Sequence, residues 1–271
     1  KMQPEIVYLV VKRIVGNDDA IRIHTGGVID ETVHSIASVR RYHPNIQINI
    51  YTDMPKLHVI NVWNDKRIRF FPIGVEREEL NYKHDNLYER NRWLIPDLRI
   101  LAAKIDCMIL HHTPCLFLDS DTEIIAPLTE LFESNQPCMH THEFQLTNSP
   151  FSQAITNVPW YRYGLNPNTV SNMWMINSGA TFIPMEYKHV LHEARNWLIE
   201  NRNAVVGGDG SDRLKEQLIL SILFQKHLGQ VPTCEHLVSH FWWRRGKQGH
   251  DNFGDNWYWY DRVVSKIETK I

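Results

Sequence analysis

The chain has 271 residues, 43% apolar and 22% charged, enough to fill a sizeable core in one large or two small domains. A formal net charge of −2 gives no sign of a polyanion-binding surface and disfavours nucleic acid as the main partner, although Arg244-Arg245-Gly246-Lys247 could hold a small phosphate group. No apolar run approaches the length of a membrane span, and no Asn-x-Ser/Thr acceptor occurs, so a soluble, cytoplasmic protein is expected.

Glu5 to Val11 reads as the first strand. A polar loop follows through Asn17-Asp18-Asp19 and Gly26-Gly27, and Asp30 stands where a helix N-cap should. Val33, Ile36 and Ala37 mark one face of that helix, which ends near His43-Pro44. Ile46, Ile48 and Ile50 alternate with polar residues as a second strand ending at Thr52-Asp53, and Ile68 to Ile73 is a third. This order suits a doubly wound nucleotide-binding sheet. The Gly-x-Gly-x-x-Gly fingerprint is missing, which disfavours a dinucleotide site of the dehydrogenase kind. Asp53 either accepts hydrogen bonds from a base or ribose or is a solvated turn residue.

Pro96 opens a helix with Leu98, Leu101, Ile105 and Met108 at helical spacing. Lys104 lies near its apolar face, where it either extends its stem along the core edge or reaches a phosphate; Arg99 is a similar candidate. The apolar run Leu116-Phe117-Leu118 then leads straight into Asp119-Ser120-Asp121. Positions i and i+2 of an extended chain point the same way, so both carboxylates are expected to project from the end of a buried strand. Open α/β sheets bind ligands there, and two hard oxygen ligands suit a divalent cation, which in turn suits a diphosphate. With fifteen Asp, about one such pair arises by chance, so the surrounding chain must supply the context.

Pro127 starts a short helix through Leu128, Leu131 and Phe132, and Cys138 to Phe144 reads as one strand. Thr147 to Asn172 reads as a long irregular loop whose Trp160, Tyr161 and Tyr163 could face substrate. In Met175 to Ile183, Gly179 gives backbone room while Asn177 and Ser178 can bond sugar hydroxyls or backbone. A helix from about Glu186 to Asn201 follows. The Gly207-Gly208-Asp209-Gly210 loop precedes another helix, capped by Ser211 and closed by Gly229, with Glu216 and Gln217 in its second turn. The tail holds His240-Phe241, the basic cluster Arg244-Arg245-Gly246-Lys247 and a dense set of aromatic rings. Cys107, Cys115, Cys138 and Cys234 have neither zinc nor redox spacing and are expected as reduced core thiols.

Taken in order, the β/α unit ending in Thr52-Asp53, the Lys104 helix, Asp119-Ser120-Asp121, Asn177-Ser178-Gly179, Glu216-Gln217 and His240-Phe241 resemble the GT-A nucleotide-sugar glycosyltransferases. Within them the pattern is most similar to the family-8, glycogenin-like branch. The resemblance spans most of the chain; its specific elements are the Asp-x-Asp, Asn-Ser-Gly and His-Phe motifs. Two positions depart from it: Lys247 is followed by Gln248-Gly249 rather than Pro-Trp, and an Asp-Gln pair appears as Glu216-Gln217.

The resemblance implies a single α/β domain, an open mixed Rossmann-like sheet flanked by helices. Residues 1–122 would form the nucleotide-binding half, and 123–271 the acceptor-binding half and closing tail. It implies Mn²⁺ or Mg²⁺ held by Asp119, Asp121 and His240, although a lone His is more often structural. The UDP-sugar donor would meet Val10, Asp53, Arg99, Lys104, Ser120, Asn177, Ser178, Gly179 and Lys247. The acceptor would be a glycan or glycoprotein hydroxyl. An inverting enzyme needs a general base, for which Asp209 and Asp212 are candidates; a retaining one would place Glu216 and Gln217 on the reacting face. Small enzymes of this type occur in the cytoplasm of bacteria and of virus-infected cells. Two other classes compete. A sugar-phosphate nucleotidyltransferase would carry a Gly-rich basic loop where Val11 to Gly16 stand, and a non-catalytic carbohydrate-binding protein would suit the nine Trp but not the Asp pair.

Overall fold

The computed structural model describes residues 3–11, 13–17, 20–24, 26–52, 64–73, 98–149, 151–201, 204, 206 and 215–240. Asp53, Asp209, Asp212, Lys247 and the side chain of Arg99 lie outside the described part, as do the basic cluster and the aromatic tail.

Strand β1 (Glu5–Val10) leads into an antiparallel hairpin of β2 (Arg13–Asn17) and β3 (Ala20–His24). The sequence predicts a loop here. The β-branched Ile14, Val15, Ile21 and Ile23 instead favour extended backbone on both sides of Asp18-Asp19. Helix α1 (Gly26–Tyr42) begins before Asp30, the expected cap. Strands β4 (Ile48–Thr52) and β5 (Ile68–Pro72), helix α2 (Leu98–Ile109), and strands β6 (Cys115–Leu118) and β7 (Thr122–Ile124) follow.

The single strand expected from Cys138 to Phe144 is divided into β8 (Cys138–Met139) and β9 (His142–Gln145). Its partner breaks at the same level, where Asn177-Ser178-Gly179 separates β10 (Trp174–Ile176) from β11 (Ala180–Ile183). β8 pairs with β11, and β9 with β10. Helices α3 (Lys188–Glu200) and α4 (Glu216–Leu228) and strand β12 (Val238–His240) complete the described chain.

The main sheet has the order β5-β4-β1-β6-β11-β8. β5, β4, β1 and β6 run parallel, and β11 joins β6 antiparallel, so the sheet is mixed. Strands from both sides of residue 122 share it. Alternation along β1 divides the core in two. Ile6, Tyr8 and Val10 pack with Ile36 and Val39 of α1, whereas Val7 packs on the side of Ile105 and Met108 from α2 and Leu191 from α3. Helices therefore cover both faces, which is why β6 is buried along its whole length. Every residue of α4 from Leu218 to Gln225 is buried, as expected of a helix apolar nearly all round.

The segment 147–172 is more ordered than its composition suggests. It contains helical turns at Ala154–Asn157, Trp160–Tyr163 and Pro167–Ser171, the last capped by Asn166, whose side chain accepts from the Thr169 amide. Trp160 is 1% exposed and donates from Nε1 to the Ala154 carbonyl, so it fills the core rather than facing substrate. Tyr163 stacks on Trp197, while Tyr161 is 72% exposed. All four cysteines are free and buried, as expected.

Candidate active site

Asp119 follows the last residue of β6, and its amide donates to the Gly179 carbonyl at 2.8 Å, extending the β6–β11 ladder by one bond. The chain then turns. Thr122 Oγ1 donates to the Asp119 carbonyl at 2.8 Å, and β7 leads away. The two carboxylates thus converge through a turn rather than through the alternation of an extended strand. Ser120, between them, donates its hydroxyl to Glu31 Oε2 at 3.1 Å. A two-stranded ladder sets His240 of β12 opposite Thr122 of β7 and carries the imidazole to the turn.

His240 Nε2 lies 3.3 Å from Asp121 Oδ1 and 3.6 Å from Asp119 Oδ2. One ligand atom from each of the three residues falls within a 4.8 Å cluster, the only such group among the described residues. Nδ1 of His240 lies 2.8 Å from Asn177 Oδ1, which also accepts from the Gly179 amide at 2.9 Å. Such an outer partner fixes the plane of a ligating imidazole. His140 packs edge-on against the same ring, its Nε2–H donating to the Val238 carbonyl. Gly179 leaves room for the His240 ring where any side chain would collide with it.

Behind the turn, the buried Lys104 ammonium donates to Asp119 Oδ1 at 3.1 Å and to Ser178 Oγ at 3.1 Å. It also pairs with Glu216 Oε1 at 3.4 Å. Burial would lower the Lys104 pKa, but the Asp119 and Glu216 charges outweigh it and raise it, so this lysine stays charged. Burial also lifts the Asp119 carboxyl above its usual range, against the lowering by Lys104 and His240. Among the described residues, Lys104 is the one permanent cation against Asp119 and Glu216. Two aspartates and an imidazole converging at one point are chemically suited to a divalent ion, which would reverse the lift on Asp119.

No protein-family model and no curated protein matches the sequence. Among solved structures, the chain is similar to the galactosyltransferase LgtC in complex with donor and acceptor sugar analogues, at 13% identity and TM-score 0.42, over 81% of this chain and 70% of that one. It is also similar to the glycosyltransferase GlyE of Streptococcus pneumoniae TIGR4, at 14% identity and TM-score 0.46, over 87% of this chain but 46% of that one. Mouse xyloside xylosyltransferase 1 gives 13% identity and TM-score 0.44, over 84% and 83%.

The structure brings together Asp119, Asp121, His240, Lys104, Asn177, Ser178, Gly179, Glu216 and Gln217, which are scattered in sequence. Val10, at the matching end of β1, has its side chain fully in the core. Lys104 stands behind the turn, paired with Asp119 and Glu216. Glu216 lies in the first turn of α4, not the second, because the helix starts there with Lys215 at the cap. Far from being solvated, it is buried against Lys104 and within 3.4 Å of Ser178 Oγ. Gln217 Oε1 lies 3.4 Å from the Ser178 amide. Sequence reasoning missed Glu31 and Glu143. Neither sits in a motif, and only the folded chain brings them to the site.

Proposed function

We propose that the chain is a GT-A glycosyltransferase that moves a hexose or pentose from a UDP-sugar to an acceptor hydroxyl on a glycan or glycoprotein. The observation that carries the reading is the cluster of Asp119, Asp121 and His240 at the carboxyl end of a central strand, backed by Lys104 and Glu216. In this reading residues 1–122 bind the nucleotide and 123–271 shape the acceptor side. Mn²⁺ or Mg²⁺ held by Asp119, Asp121 and His240 would act as a Lewis acid on the departing diphosphate.

The chain's own residues prepare that site. Lys104 bonds Asp119 Oδ1, leaving Oδ2 on the side of His240. The carboxylates of Asp119 and Asp121 are committed to this cluster, so neither suits the role of general base. Glu216 is engaged by Lys104 in the same way, and with Gln217 it lines the floor beneath Ser178. Asp209 and Asp212 remain the proposed bases of an inverting route; a retaining route needs none. Asp53, Arg99 and Lys247 complete the proposed donor contacts, together with Ser120, Asn177, Ser178, Gly179 and, through its backbone alone, Val10.

Incubating the purified protein with Mn²⁺ and a panel of UDP-sugars should release UDP, and chelation should stop the release. Pyrophosphate-dependent exchange of a nucleotide sugar would instead establish a nucleotidyltransferase. Sugar binding without any nucleotide release would leave a carbohydrate-binding protein.

A further inference from the structure

Glu143 occupies an irregular point in the β9–β10 ladder. His142 pairs with Ile176 and Phe144 with Met175, so Glu143 is the extra residue of a bulge. Bulges re-aim side chains. Here the carboxylate is directed at two amides: Oε1 accepts from Asn177 Nδ2 at 2.9 Å, and Oε2 accepts from Gln217 Nε2 at 2.8 Å.

An ionised carboxylate only accepts, so the nitrogen of the Asn177 amide must face Glu143 and its oxygen must face away. That oxygen is the atom 2.8 Å from His240 Nδ1. An amide oxygen only accepts in turn, which puts the imidazole proton on Nδ1 and the lone pair on Nε2, the nitrogen that faces Asp119 and Asp121. Gln217, reaching from α4, holds the second oxygen and keeps the carboxylate from turning away. We infer that Glu143 is a positioning residue: through Asn177 it fixes His240 in the Nδ1–H tautomer that leaves Nε2 able to bind a cation. The inference rests on the reading of His240 as a metal ligand.

The test is made first on metal-free protein at a pH where His240 is neutral, by imidazole ¹⁵N chemical shifts. The wild-type protein should show the Nδ1–H tautomer; an Nε2–H ring there would overturn the inference before any variant is made. Glu143→Met removes both acceptors and leaves the Asn177 amide held only by the Gly179 N–H, which donates to its oxygen at 2.9 Å, and should give a tautomer mixture. Mn²⁺ affinity, measured by calorimetry, should then fall about 10- to 100-fold. Glu143→Gln is the rescue. Its oxygen can still accept from Asn177, while its NH₂ meets a Gln217 amide free to turn over, since that amide's oxygen has only long contacts of 3.4 and 3.5 Å to Ser178. This variant should keep the wild-type tautomer and most of the affinity. A pure Nδ1–H ring with undiminished Mn²⁺ binding in Glu143→Met overturns the role of Glu143. A wild-type protein that binds no Mn²⁺ overturns the metal site itself, and the tautomer comparison still decides what Glu143 does.

Discussion

Gly179 lies so close to the His240 imidazole that a Cβ built on it would sit 2.2 Å from Nδ1 and Cε1. The backbone just before β11 and the third member of the cluster meet so closely that only the absence of a side chain allows it. Gly179→Ala should push the ring off the Asp turn and weaken Mn²⁺ binding at least about 10-fold, while the circular dichroism spectrum stays native. Unchanged binding would mean that His240 is not needed for it.

Asp119→Asn and Asp121→Asn each replace a carboxylate by a weaker, neutral ligand. Each should reduce metal-dependent UDP-sugar binding by about 100-fold or more, with the thermal transition retained. Calorimetry in Mn²⁺ that returned wild-type donor affinity would remove both residues from the site.

Lys104→Met takes this cation away and leaves the buried Glu216 and the partly exposed Asp119 without the ammonium they share. Removing one partner of a buried pair is the costly change, and a loss of about 3 kcal/mol in urea denaturation without metal is expected. Adding Glu216→Gln should recover part of it, because one of the two opposed charges is then gone. A single variant as stable as the wild type would show that the carboxylates do not depend on Lys104.

The Leu128 amide donates to His43 Nε2 at 2.8 Å, so that ring nitrogen must be unprotonated in the fold. Burial lowers the His43 pKa below the ordinary histidine value of about 6.5. The unfolded chain therefore takes up this proton at a higher pH than the folded one. The contribution of His43 to stability is complete above about pH 6.5 and is lost as the pH falls through the folded-state pKa. His111 shifts the same way, because burial outweighs the Glu5 carboxylate beside it. His43→Gln can still accept from Leu128 but cannot titrate, so denaturation curves at pH 7.5 and 5.5 should lie closer together than in the wild type.

The aromatic residues of segment 147–172 separate by burial. Trp160→Ala empties a fully packed site and should cost about 3–5 kcal/mol, whereas Tyr161→Ala, at an exposed position, should change stability by less than about 0.5 kcal/mol. Equal losses from the two would contradict the packing described for this segment.

Much of this was legible along the chain. The buried β6 followed by Asp119-Ser120-Asp121 announced itself by an apolar run meeting two acids, and the β/α order at the start gave the class of sheet. Lys104 could be placed on the inner face of its helix by periodicity. Its task could not, because its partner Glu216 is expected in a second turn, and nothing local says where α4 starts. The place of Trp160 is not legible, because indoles serve both cores and sugar sites, and composition cannot separate the two. Glu143 was invisible, since its aim comes from a register shift between β9 and β10, a property of the pair and not of either strand.

The β7–β12 ladder carries a consequence for how the molecule is built. Asp119 and Asp121 arise from one tight turn, so two of the three groups are neighbours as soon as that turn forms. His240 reaches them only when β12 docks onto β7 from far along the chain. That docking carries a loop-closure entropy, and non-local closures of this kind are slow steps in assembly. Cation binding would then favour the docked over the undocked chain by mass action, making ion affinity a gauge of whether β12 has joined β7.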